Sequence, residues 1–170
     1  VSEITGSASE ATWDQLARVA GGAADAGGES EILRQLLTFE VGGTPYAVPV
    51  ENVREIVRIR PITPVPRVTS HVRGVISLRG EIIQVVDLRL RLGLPAIETS
   101  RSTRIIVAHT EDRVAGLLVD AVTEVLRVKE ETIGPVGGGE GGAVAALCAR
   151  GDDFVSMIDL DRVLDVDAAA

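Results

Sequence analysis

Arg73-Gly-Val-Ile-Ser-Leu-Arg-Gly-Glu-Ile-Ile-Gln-Val-Val-Asp-Leu-Arg89 reads as two apolar strands folded back on each other around Arg79-Gly80. Gly74 to Leu78 and Glu81 to Val86 are runs rich in β-branched and aliphatic residues. Gly80 supplies the positive φ that a tight turn needs, and Asp87 stops the second strand. Arg79 then projects from the turn, where solvent or a partner reaches it.

Working toward the N-terminus, Leu37, Phe39 and Val41 alternate inward, Gly42-Gly43 turns the chain, and Tyr46, Val48 and Val50 alternate back, which predicts a second hairpin. Glu51 to Ile56 predicts a helical turn feeding an extended Val57-Arg-Ile. Pro61, Pro64 and Pro66 forbid helix and central strand, so the chain runs there as an edge or connector. Toward the C-terminus, Leu88 to Leu92 predicts a short helix closed by Gly93. Strands follow at Arg104–His109, Val114–Val119, Val122–Val128, Ala143–Arg150 and Phe154–Ile158, with a last helical turn through Leu164. About ten short strands with turn signals at short intervals argue an all-β fold of small barrels. A faint repeat points to two lobes: Val85-Val-Asp-Leu-Arg-Leu-Arg-Leu92 and Met157-Ile-Asp-Leu-Asp-Arg-Val-Leu164 each join a strand end, a capping Asp and a helical turn.

Ser9 to Ala20 fits one short amphipathic helix with Trp13, Leu16, Ala17 and Ala20 on one face, ended by Gly21-Gly22. Ala23 to Gly28 reads as flexible linker. The expected organisation is a tail over 1–30, a domain over 31–165 and a short C-terminal tail over 166–170. At 170 residues and 45% hydrophobic, the chain buries a core of ordinary size. No apolar run approaches the roughly 20 residues that span a bilayer, and no signal peptide is visible at the N-terminus, which predicts a cytoplasmic protein without membrane insertion. The lone Cys148 sits among Ala and Leu and reads as a small core residue.

Charge is uneven along the chain. Residues 1–31 carry one basic and six acidic groups, 32–104 eleven and six, and 105–170 five and thirteen; these nets of −5, +5 and −8 sum to −8. Sixteen of the seventeen basic residues are Arg, which grips a carboxylate in a two-pronged contact that Lys does not match. The middle of the chain is either an acid-seeking face or a set of arginines on solvated strand edges paired with the acidic C-terminal half of the same molecule.

The search for chemistry returns little. Gly137, Gly139 and Gly142 satisfy G-x-G-x-x-G, but a strand follows them where a dinucleotide loop would open a helix. There is no G-K-[ST], no short-range Cys or His spacing around His71 and His109 for zinc, and no nucleophile elbow. No cofactor is expected. His71 reads as sitting on a surface turn and His109 at a strand end. Aromatic residues are 2% of the chain, too few for single-strand nucleic-acid platforms, and Phe39 and Tyr46 are accounted for by core packing. Pro61 to Pro66 reads as an edge connector in preference to a polyproline ligand.

Pro61-Ile-Thr-Pro-Val-Pro66, the stretch from Val72 to Pro95, and Val114-Ala-Gly-Leu-Leu-Val-Asp-Ala-Val-Thr-Glu-Val125 together resemble the CheW family of bacterial chemotaxis coupling proteins. The likeness runs from about Leu36 to Leu164 and includes the terminal Asp-Leu-x-x-Val-Leu. It implies two packed SH3-like β-barrels with a few short helices, and a non-catalytic scaffold that joins a CheA-type histidine kinase, through its regulatory domain, to the cytoplasmic tips of methyl-accepting chemoreceptors in membrane-associated arrays. By motif it carries partner-binding positions onto Val50, Val53 and Glu55, onto Ile62, Gly74 and Arg79, and, in the second barrel, onto Ile105, Val119 and Val122. Ser77 stands where the family commonly has Asn, and the first thirty residues have no counterpart in a minimal coupling protein. The alternative is a small-ligand-binding or regulatory β-barrel module within a larger complex; binding to a kinase regulatory domain and a receptor tip separates the two.

Overall fold

The structure, a computed structural model, describes residues 31–136 and 142–165, so the expected helix over 9–20, both tails, and Gly137 and Gly139 lie outside it. The compact unit that starts at Leu33 holds two sheets. Its strands are β1 (Leu33–Val41), β2 (Thr44–Pro49), β3 (Val53–Arg58), β4 (Val72–Leu78), β5 (Glu81–Asp87), β6 (Arg104–His109), β7 (Val114–Val119), β8 (Ala121–Lys129), β9 (Ile133–Pro135), β10 (Val144–Arg150) and β11 (Asp153–Ile158). Two one-turn helices follow β5 and β11: α1 (Leu88–Arg91) and α2 (Leu160–Val163).

The Arg73 to Arg89 stretch folds as read. β4 and β5 pair antiparallel with Leu78 opposite Glu81, leaving Arg79-Gly80 as a two-residue loop. Both loop residues have positive φ, 53° and 80°, the mirror-image turn whose twist matches that of the strands. The left-handed conformation therefore falls on Arg79 as well as on the glycine, at about 1–2 kcal/mol for a residue with a Cβ. Asp87 ends β5 and accepts a hydrogen bond from the Arg89 amide at 3.0 Å, capping α1.

The five-stranded sheet has order β3-β6-β7-β5-β4 and is drawn from one continuous stretch of chain, so we call it the contiguous barrel. The six-stranded sheet, β8-β1-β2-β11-β10-β9, joins the N-terminal hairpin to the C-terminal strands and forms the composite barrel. The orders correspond strand for strand, β8, β1, β2, β11 and β10 answering β3, β6, β7, β5 and β4. The parallel contact recurs as well, β5 with β7 and β11 with β2. The faint repeat marks this duplication, for Asp159 caps α2 through the Arg162 amide as Asp87 caps α1.

Three apolar clusters hold the unit together. Ile76, Leu78, Ile83, Val85, Ile105 and Val107 fill the contiguous barrel, and Leu36, Ala47, Cys148 and Val155 fill the composite one. The largest lies between the barrels, with Leu37, Phe39 and Val41 from one side meeting Ile106, Leu117 and Val119 from the other. This explains why inward alternation breaks down in β1, where Leu36 to Phe39 are all buried: one face looks into its barrel and the other into the shared layer. Thr38, on that buried strand, bonds Thr123 Oγ1 at 2.7 Å and the Glu124 carbonyl at 2.9 Å beside a register shift.

Two sequence expectations are corrected. The helical turn is shorter and earlier than 51–56: a 3-10 turn occupies Val50–Asn52, and Val53 already pairs in β3. The assignment of Ile105, Val119 and Val122 to one second barrel also fails. Ile105 and Val119 lie on β6 and β7 of the contiguous barrel with Gly74 and Arg79, while Val122 lies on β8 of the composite barrel. Asp120, which separates Val119 from Val122, is the crossover between barrels.

Candidate partner-binding surface

Four of the expected positions meet at the seam between barrels. Val53 and Val119 are buried in the shared layer, and Val50 and Val122 pack against it half-buried. The 3-10 turn puts Val50 at the edge because it connects β2 of one barrel to β3 of the other. Only Val50 and Val122 of these four offer side-chain surface to a partner; Val53 and Val119 support them from beneath.

The other positions gather around the β4–β5 hairpin. The Arg79 Nη2 atom lies 3.5 Å from Glu55 Oε2 on β3, and a second pair, Arg54 Nη1 with Glu81 Oε2 at 2.8 Å, crosses beside it. The side chain of Arg79 is 81% exposed, so most of its guanidinium faces outward while Glu55 is largely covered. Ile82, two residues past the turn glycine, is 72% exposed. Ile105 is fully buried in the barrel interior, with Ile62 packed against the same cluster.

Gly74 serves the fold directly. It has φ 146°, and a Cβ there would stand 2.1 Å from the Thr63 carbonyl oxygen. The proline segment crosses at that point, with Thr63 and Val75 exchanging backbone hydrogen bonds of 2.9 and 2.8 Å. Only glycine admits so close an approach. Ile62 lines an open crevice of ≈ 550 Å³ together with Ile59, Pro64, Arg60 and Arg73.

Pairing of the arginine-rich middle with the acidic C-terminal half is found for only two arginines, Arg34 and Arg89. Arg34, Arg54, Arg73, Arg79 and Arg89 make ion pairs within the molecule, mostly with acids of the same region; only Glu130 and Asp120 come from the acidic C-terminal part. Arg58, Arg67 and Arg101 make no ion pair with a described residue.

Sequence reading missed one pair. Arg89 of α1 grips Asp120 with two prongs, Nε to Oδ1 at 2.9 Å and Nη2 to Oδ2 at 2.8 Å. Asp120 Oδ2 also accepts the Gly42 amide at 2.8 Å, and the Asp120 amide donates to the Glu40 carbonyl at 3.0 Å. Burial pushes the Asp120 carboxyl up, but the Arg89 hydrogen bonds, the Gly42 amide and the Arg89 charge together hold it below the ordinary Asp value. The available signal was Asp120 itself, a lone acid between the apolar runs ending at Val119 and beginning at Ala121.

Among the described residues no three His, Cys, Asp or Glu are grouped to hold a metal ion, and no helix is long and apolar enough to cross a membrane. His71 begins the turn into β4, but it is half-buried, its Nε2 atom being sealed from solvent without a hydrogen-bond partner. Burial first, and the Arg91 charge second, lower its pKa, so the surface placement expected for it is only partly right.

Two barrels joined by a shared apolar layer, with a charged hairpin tip and a half-buried aliphatic seam at the surface, define a double-barrel all-β fold. The family model of the CheW-like domain matches residues 35–168, and the chain belongs to that family. It is 44% identical over 102 residues to the chemotaxis protein CheW of Rhizobium meliloti, covering 60% of this chain and 66%, just under two thirds, of that protein. It is 35% identical to the protein FrzA of Myxococcus xanthus, covering 77% of this chain and 85% of that one. The crystal structure of the scaffolding protein TtCheW from Thermoanaerobacter tengcongensis superposes with a TM-score of 0.71 at 30% identity, covering 76% of this chain and 90% of that chain.

Proposed function

We propose that this chain is a non-catalytic coupling scaffold that joins the cytoplasmic tip of a chemoreceptor to the regulatory domain of a CheA-type histidine kinase, in chemotaxis or a related motility pathway. Family membership sets the class, and the names of relatives, chemotaxis proteins and FrzA, give both pathways support. The observation that carries the reading is the pairing of two unlike surfaces on one body. A mostly apolar helical hairpin finds aliphatic contacts along the seam at Val50 and Val122, where apolar burial supplies affinity. A second barrel surface finds an exposed arginine beside Ile82 at the hairpin tip, the combination of cation and apolar anchor that protein interfaces favour. Recruitment to a receptor array follows from holding both partners at once. Titration of the full chain with a receptor-tip fragment and with a kinase regulatory domain tests the reading: binding of both, and a complex containing all three, is expected. Failure to bind either would return the chain to the class of ligand-binding or regulatory modules.

A further inference from the structure

We propose that Arg89 and Asp120 are positioning residues that fix the angle between the two barrels and thereby couple the partner sites on them; the coupling part rests on the scaffold reading above. The shared apolar layer resists separation of the barrels but is itself non-directional, and the single-pronged bonds of Arg91 to the Arg162 carbonyl at 3.3 Å and of Arg113 to the Leu164 carbonyl at 3.2 Å cross it elsewhere. Direction comes from hydrogen bonds to a planar fork.

The geometry of the pair meets that need. Arg89 belongs to α1 of the contiguous barrel and also donates to the Pro95 carbonyl at 3.2 Å, so the chain beyond α1 is tied to the same guanidinium. Asp120 is the crossover residue itself. Its amide and carboxylate bind Glu40 and Gly42 of the β1–β2 hairpin, which belongs to the composite barrel. Leu94 closes the clasp, for its Cδ1 lies 2.7 Å from where a Cβ on Gly42 would be, and it packs on the shared layer. One side chain of one barrel thus sets the direction of a peptide that begins the other. Val119 and Val122 flank that peptide, so a rotation there moves the seam relative to the Arg79 hairpin.

The test uses the full chain carrying Cys148→Ala, with nitroxide labels at Ser77→Cys and Asp152→Cys, exposed positions on opposite barrels. Double electron–electron resonance should give one narrow distance distribution, broadened in Arg89→Ala and partly restored in Arg89→Lys, where charge remains without the fork. In parallel, affinity for the receptor-tip fragment is measured with and without saturating kinase domain. Affinity for the kinase domain alone, whose proposed contacts lie on the contiguous barrel's hairpin tip, should stay within about twofold of the unsubstituted chain, while the effect of one partner on the other falls about tenfold. A distribution that stays narrow in Arg89→Ala would overturn the proposal. So would a broadened distribution with unchanged coupling, or an unsubstituted chain in which neither partner affects the other. If the unsubstituted chain binds neither partner, the scaffold reading fails, and the distance measurement alone decides whether the pair sets the angle.

Discussion

The two barrels share one plan and differ in where they place chemistry. Each has a register shift early in its first hairpin strand, between Val72 and Gly74 in one and between Val144 and Ala146 in the other. Each then has a two-residue loop, a strand and an Asp-capped helix. Position by position the contiguous barrel carries the unusual residue. Arg73 answers Ala145, Gly74 answers Ala146, and the strained Arg79-Gly80 loop answers Gly151-Asp152. Ile82 and Phe154 keep the same place, second after the loop, and are exposed to 72% and 62%. The duplicated plan keeps an apolar residue and charged neighbours at both tips and places left-handed strain on a residue with a side chain, Arg79, in only one.

The largest difference should appear at the register shifts. Gly74→Ala puts a methyl group into the Thr63 carbonyl at a positive φ, and is expected to cost about 3–5 kcal/mol, strain and overpacking combined. Ala146→Gly, its counterpart, should cost about 1 kcal/mol through added chain freedom. Urea denaturation of both variants checks this, and similar values would mean that the barrels close in equivalent ways.

The helix caps come next. Asp87 is buried, holding the α1 amide and an ion pair to Arg73 at 3.0 Å, whereas Asp159 is more open and pairs within its own helix with Arg162. Asp87→Ala should cost about 2–3 kcal/mol, a cap plus a charge-assisted contact, and Asp159→Ala about 1 kcal/mol. Thermal melts of the two single variants and the double variant decide whether the costs add, as they should for separate sites.

Acid sensitivity sharpens the comparison at the crossover. The pKa of Asp120 is lower folded than unfolded, so its stabilisation is complete above the unfolded value of about 3.9 and is lost as pH falls through the folded value. Below about pH 4 the melting temperature of the unsubstituted chain should fall more steeply than that of Asp120→Asn. Parallel curves would show that the pair contributes no pH-dependent stability.

The smallest effect on the fold belongs to the hairpin tip. Arg79→Ala should change stability by less than about 0.5 kcal/mol, since the side chain is exposed and its ion pair long. Partner binding should weaken by about 2 kcal/mol, roughly thirtyfold, with Arg79→Lys recovering part. Arg79→Gly should relieve the left-handed strain and leave the fold as stable or slightly more so, while binding falls as in the alanine variant. Unchanged affinity in all three would move the binding surface away from this tip.

Much of the plan was legible in local pattern. The Arg79-Gly80 loop, the Asp-capped helices and the duplication are short-range features in which turn chemistry and apolar runs agree. The composite barrel was not, because β1 and β8 are brought together by pairing that no local period encodes. For the same reason Val119 and Val122, three residues apart, read as neighbours on one barrel and stand on two. The bonds of Arg89 to Asp120 and of Asp120 to Gly42 were hidden in residues that each look like ordinary loop or cap positions.

The discontinuity of the composite barrel also bears on how the chain acquires its structure during synthesis. The contiguous barrel is spelled out without interruption from β3 to β7, so its local pairings are available once that stretch has left the ribosome. The β1–β2 hairpin precedes it by sequence yet must wait: Thr38 meets Thr123 across 85 residues, and β11, which pairs with β2, comes later still. Distant pairing of this kind slows folding, and the unpaired hairpin exposes two strand edges meanwhile. The early-made barrel offers it the apolar face of Ile106 and Leu117 to rest on, so the shared layer that later unites the two barrels doubles as a template for the one that finishes last.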